Sequence, residues 1–423
     1  MSHRADDTAL PRRIGLVGAS ALSFNGLVAA SIFALPGTLA SDFGAFSPLM
    51  FPLVGLAAML IIIPFSWTAA AFPQSGGPAA YGAVFGRVAG FELGWIYYIA
   101  RATAFAANAN VLTAYLARWL AGADQGLTRI IILLSATALF AAVNVAGVRR
   151  SIGLLAGLSL LKALPLFIAA GAAIALAYPW PAPTPVPTLT EFEAGLLIVF
   201  YAFVGFENAV IPAGETRSPS NTLPRAIFLT VGITTLLYFL VQFAFVSALP
   251  GGGTDEKAPL IDLGAWVAGP VGASVLTLAA VASLAGSLHG IMTSTPRVSH
   301  ALGARGDLPA WFARVQPKLE TPANSILFFA LVAGALAVSG SFVWLAVVST
   351  LARMIVYAAT IAALPRAPQR PRLTALHWTL GAIGIVVCAW AASQADAKAW
   401  ITLGLLSAAG LLLYLAANRP WRS

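Results

Sequence analysis

Long apolar runs separated by short polar stretches recur along the whole chain. Twelve can be marked off, at 14–38, 47–71, 88–120, 128–147, 152–178, 192–214, 224–249, 271–301, 323–339, 342–364, 374–394 and 398–417. A helix needs ~20 mostly apolar residues to cross a bilayer. The pattern therefore predicts an all-α polytopic membrane protein with twelve transmembrane helices. Runs three and eight exceed that length, which predicts tilt or extension past the bilayer. Residues 179–187 (PWPAPTPVP) predict a stiff connector, and 258–269 (APLIDLGAWVAG) a short helix on the outer face. The Gly-rich stretch 74–87 (QSGGPAAYGAVFGR) is too polar to span. Its glycines do not make a phosphate loop, since no strand precedes them and no Lys-Ser/Thr follows.

Two of the runs are interrupted. In the sixth, YAFVGFENAVIPAGET at 201–216 carries Gly205, Glu207 and Pro212. Glycine weakens a helix and proline breaks its hydrogen-bond ladder. Backbone freed at membrane depth survives only where protein covers it or where it lines a cavity. The first run carries SFNGLVAASIFALPGT at 23–38. At an offset of 179, Phe24 matches Phe203, Gly26 matches Gly205, Ala30 matches Ala209 and Ile32 matches Ile211. Five spans separate the two runs, so they cross in opposite directions. Interrupted helices at matching positions of inverted halves point to the binding site of a secondary transporter. The plainer alternative is a pair of Gly-kinked structural helices. Buried charges in the neighbouring runs favour the first reading.

Composition agrees with the run pattern: 59% of the 423 residues are hydrophobic and 9% charged. The net charge of +9 need not mean nucleic acid. With the N-terminus inside, seventeen of the 24 Lys and Arg fall on inner loops and tails, and four (Arg118, Arg129, Lys257, Lys398) on outer loops. That is the positive-inside pattern, with both termini cytoplasmic. The other three, Arg101, Lys162 and Arg353, lie within runs. Residues 1–13 are polar, with no cleavable signal peptide expected. Cys388 sits in an apolar run as a small hydrophobe, and neither a disulfide framework nor a metal cluster is expected. There is no H-E-x-x-H and no credible nucleophile–base spacing, so neither an enzyme nor a cofactor is expected.

The breaks themselves can bind a zwitterion. If the first run unwinds over 26–30, its outer half-helix starts near Ser31. The free N–H groups and positive dipole end there favour a carboxylate. Unwound carbonyls around Gly26 and Leu27, and around Tyr201, Ala202 and Phe203, can accept from an ammonium. Ala29, Ala30 and Gly205 complete the unwound set, with Tyr201 and Phe206 as aromatic walls, although each ring alone is better explained by packing. Glu207 is the one carboxylate well inside a run. It suits a proton-sensitive gate, or it caps a half-helix or pairs with a buried Arg. Lys162 lies ~15 Å into the fifth run, too deep to reach the surface comfortably. Arg101 and Arg353 need partners; Glu207 is one, and an anionic group of the substrate is another. Carbonyl or water contacts are the bland account, favoured for Arg353. His289 is read as a satisfied core histidine.

Three stretches carry a family resemblance: GFENAVIPAGETRSPSNTLPRAI, FPQSGGPAAYG followed by GRVAGFELGW, and TPRVSHALGARGDLPAWFARVQPKLETPANS. They resemble the amino acid–polyamine–organocation (APC) permeases. The resemblance implies a LeuT-like 5+5 inverted repeat, with repeats at 14–178 and 192–364, discontinuous helices 1 and 6, and a linker at 179–191. Helices 11 and 12 at 365–417 and tails at 1–13 and 418–423 complete it. It also implies transport of an amino acid or amine across the plasma membrane by alternating access. Tyr201 would stand where the family carries an aromatic gate. Lys162 would stand where sodium-coupled relatives bind an ion, bonded to carbonyls of the first break and to Ser283 or Ser287. Proton coupling without sodium is the implied mode. One departure stands out: many members read G-S-G where this chain has Ala29, Ala30 and Ser31. An exchanger or exporter without proton coupling, and a transport-dead sensor of the same fold, stay open.

Overall fold

The computed structural model describes residues 14–72, 77–147, 152–183, 185–210, 216–253 and 256–418, the side chains of 152–161, 219 and 220 excepted. Its elements are helices: α1 (Leu16–Leu27), α2 (Ala30–Phe43), α3 (Ser47–Ala70), α4 (Pro78–Gly82), α5 (Arg87–Leu116), α6 (Gly126–Val145), α7 (Ile152–Leu176), α8 (Leu189–Phe200), α9 (Pro219–Ala248), α10 (Pro259–Ser294), α11 (Pro296–Ala304), α12 (Ala323–Ser339), α13 (Phe342–Ala363), α14 (Ala375–Ser393) and α15 (Ala397–Ala417). Among the described residues there is no strand, and extended pairing is limited to isolated bridges from Ile14 to Thr216 and from Gln316 to Thr321. Eight helical stretches are long and apolar enough to cross a membrane, and α1, α12 and Lys162–Leu176 of α7 are apolar but shorter. This is an all-helical, multi-pass membrane architecture.

The first apolar run divides into α1 and α2, and the sixth into α8 and two short 3-10 turns at Tyr201–Phe203 and Phe206–Ala209. Pro212 and Ile211, which figure in the sequence argument, lie outside the described residues. In α10, the helical path breaks at Ala268 and Gly269, just before Pro270, setting the predicted short helix apart from the long one. In the polar 74–87 stretch, α4 packs on α5 where Gly82 and Gly90 let the two backbones close.

Buried and half-buried polar side chains fasten helices in two sets. In one, Ser23 of α1 meets Thr230 of α9 at 2.7 Å, and Gln242 of α9 donates to Ser47 of α3 at 2.8 Å. In the other, Asn110 of α5 donates to the Ala337 carbonyl of α12 at 3.0 Å, and Thr293 of α10 donates to Asn144 of α6 at 2.6 Å. His289 meets Asn144 at 3.3 Å, as expected of a satisfied histidine. Asp307, after α11, accepts from Arg87 Nε at 2.8 Å and Arg305 Nε at 3.2 Å, tying that loop to the start of α5.

Candidate functional site

The two breaks meet. Between α1 and α2, Val28 (φ −84°, ψ 87°) and Ala29 (φ −136°, ψ −134°) leave the helical region. No residue from Ala29 to Ser31 has a positive φ, so Ala29 and Ser31, which stand where many members carry glycine, cost nothing in backbone strain here. The glycine requirement falls elsewhere. Gly205 takes φ 109°, and a methyl group on it would collide with the backbone of Gly26. A methyl group on Gly26 would collide in turn with the Gly205 carbonyl oxygen and the Asn208 amide. The pair matched by the internal echo is thus the pair at which the two chains touch.

Beside this contact lies a cavity of about 270 Å³. Of the residues expected from the sequence, Gly26, Leu27, Ala29, Ser31, Tyr201, Gly205, Lys162, Arg101, Ser283 and Ser287 line it. Ala30, Ala202 and Phe203 are buried behind it. Phe206 is turned away, with its ring 5.1 Å from both Phe65 and Tyr357, so it builds the core and not the aromatic wall. Tyr201 does form a wall, with its ring 5.8 Å from Phe342.

Lys162 is buried, and its Nζ donates to the Val28 carbonyl at 2.6 Å. The Ser283 hydroxyl donates to the same carbonyl at 3.4 Å. Lys162 thus ties the unwound residue of the first break to α7, and Ser283 ties it to α10. Glu207 is not a lining residue. Its Oε1 accepts from Arg353 Nε at 3.0 Å, and its Oε2 accepts from the Tyr357 hydroxyl and the Gly205 N–H, each at 2.8 Å. Arg353 also donates to the Ala100 carbonyl at 3.1 Å and to the Ser349 hydroxyl. Burial of both charges explains this saturation: an ion pair out of water persists only when its remaining donors and acceptors are matched.

Sequence reasoning missed three amides, Asn25, Asn108 and Asn208, which all line the cavity. The Asn108 Oδ1 accepts from the Ala30 N–H at 3.2 Å, and its Nδ2 donates to the Ala104 carbonyl at 2.7 Å. The first free N–H of α2, expected to bind a carboxylate, is thus held by a side chain of α5. Ser31 is held too, its hydroxyl 2.5 Å from that of Tyr238. The signal was available: an amide seven residues after Arg101 shares a helix face with it inside an apolar run. Asn108→Ala should lower the thermal stability of the purified protein by ~1–3 kcal/mol, the cost of a buried donor left unmatched. An unchanged melting temperature would show that this contact carries no weight.

Residues 14–414 match the amino acid permease family. An uncharacterized transporter of Mycobacterium tuberculosis is 30% identical over 402 residues, covering 90% of this chain and 86% of the relative. The branched-chain amino acid permease BcaP of Lactococcus lactis is 26% identical over 441 residues, covering 94% and 92%. The serine/threonine exchanger SteT of Bacillus subtilis is 24% identical over 336 residues, covering 76% of each. These relatives are transporters and not enzymes, and the match spans every element that builds the cavity. The chain belongs to the amino acid permease family of the APC superfamily.

Proposed function

We propose that this protein is a secondary active transporter that moves an amino acid or a related amine by alternating access, coupled to protons and independent of sodium. The observation that carries the reading is the contact of two helix breaks at Gly26 and Gly205, beside a cavity of about 270 Å³. In this reading α1 to α7 form one five-span repeat, and α8 to α13 its inverted copy. The helices α14 and α15 are the eleventh and twelfth spans, and both termini face the cytoplasm. Backbone groups of the breaks take the α-amino and carboxylate groups of the substrate. Asn108 withdraws from Ala30 when a carboxylate arrives. Lys162 provides the coupling: its ammonium fills the place of a metal cation at the Val28 carbonyl, and loss of its proton releases that carbonyl. Glu207 serves by holding Gly205 in its unwound conformation.

Uptake into proteoliposomes of a panel of labelled amino acids and amines tests the proposal. Saturable uptake that rises with an inward proton gradient and is unaffected by replacing sodium with choline is expected. Lys162→Ala should flatten the pH profile. An unchanged pH profile in that variant would remove Lys162 from the coupling step. No saturable uptake or exchange of any member of the panel would favour a sensor of the same fold. Exchange between two amino acids without a proton gradient is the second reading, favoured by the similarity to a serine/threonine exchanger.

A further inference from the structure

The cavity has an unbalanced charge. Arg101, Lys162 and Arg353 line it, and among the described residues no Asp or Glu does. Arg353 is matched by Glu207, and Lys162 is engaged at the Val28 carbonyl. Arg101 differs from both. It is 4% exposed and forms no ion pair among the described residues. Its partners among the described residues are neutral: Asn208 Oδ1 at 2.8 Å from Nη1, Ser294 Oγ at 2.8 Å from Nη2, and Thr295 Oγ1 at 3.4 Å from Nε. Glu207 stands behind the cavity wall in its ion pair with Arg353. Both of its oxygens are taken by Arg353, Tyr357 and the Gly205 N–H. A guanidinium has five N–H donors. One on each terminal nitrogen is therefore not taken by these three bonds, and paired guanidinium N–H groups suit a carboxylate.

We infer that Arg101 receives a side-chain carboxylate, so that the substrate is an acidic amino acid. The inference rests on the transporter reading above and sharpens it. A buried cation without an ion-pair partner is costly, and a substrate with a second carboxylate supplies that partner on entry. Position along the helix separates the two carboxylates. Asn108, which marks the α2 N-terminus, is seven residues from Arg101 on one face of α5, or roughly 10 Å along its axis. A single carboxylate does not bridge that span. An amino acid with one carboxylate at the α2 end and one at the Arg101 fork reaches toward both.

The test is competition between near-isosteric pairs in proteoliposomes made with the full-length protein: glutamate against glutamine, and aspartate against asparagine. The wild type should prefer at least one acidic member by about tenfold or more in KM, the discrimination expected of a charge-assisted hydrogen bond. Arg101→Gln should bring that ratio to about one, and Arg101→Lys should restore part of it. Equal KM values for acidic and amide partners in the wild type would overturn the inference while leaving amino acid transport intact. So would an Arg101→Gln variant that slows all substrates by the same factor, because Arg101 would then be only a strut between Asn208 and Ser294. If Arg101→Gln does not fold, the wild-type ratios still decide. Absence of saturable uptake of every amino acid would overturn this inference together with the transporter reading.

Discussion

Replacing either Gly26 or Gly205 by alanine is expected to abolish transport and to lower thermal stability sharply. Two independent costs add at Gly205. Its φ of 109° lies where a side chain is strained, and the new methyl would strike the Gly26 backbone. At Gly26 the conformation is helical, so only the collision acts, against the Gly205 carbonyl and the Asn208 amide. Backbone cannot yield as a flexible side chain can, and overpacking of this kind costs ~1–3 kcal/mol or more. Gly205→Ala should therefore be the more damaging of the two. Ala29→Gly and Ala30→Gly serve as controls, since neither position needs a positive φ. Melting temperature in detergent and uptake in proteoliposomes measure the effects. A Gly205→Ala variant with wild-type melting temperature and transport would show that the two breaks do not touch as described.

Glu207→Gln should cost folded protein before it changes any pH response. The glutamine keeps the size of the side chain but loses the charge that balances Arg353, which is buried with it. Breaking a buried ion pair by neutralising one partner typically costs ~3–5 kcal/mol. The second oxygen makes the change worse. It accepts from both the Tyr357 hydroxyl and the Gly205 N–H, and an amide nitrogen in its place would face the N–H with another donor. Expression yield and thermal stability should fall together, with Arg353→Met, Glu207→Met tolerated better than either single change. A Glu207→Gln protein that folds normally but transports with a shifted pH profile would instead make this carboxylate a titrating gate.

The outline of the fold was legible in the sequence because membrane helices announce themselves by length and hydropathy. The two breaks were legible because Gly, Glu and Pro are out of place in a spanning run. Their exact seat was less so. The first break falls at Val28 and Ala29, which no propensity marks. The departure from the family's G-S-G at Ala29, Ala30 and Ser31 does not prevent unwinding, because the backbone there leaves the helix through ordinary negative φ values. Phe206 was read as an aromatic wall but packs in the core, because a 3-10 turn after Gly205 rotates it toward Phe65. The pairing of Glu207 with Arg353 joins residues 146 positions apart, and only tertiary structure selects it among the available buried arginines. Asn108 was passed over because a single amide in an apolar helix reads as a packing residue until a neighbouring helix end is seen to need it.

Several bonds tie the two breaks to α5, α7 and α10: Asn108 to Ala30, Arg101 to Asn208, Ser283 to Val28 and Lys162 to Val28. One end of each is a cavity-lining side chain. A small molecule competing for those same atoms does more than occupy space. In the transport reading proposed above, its arrival would compete with the bonds that hold the two breaks to α5, α7 and α10.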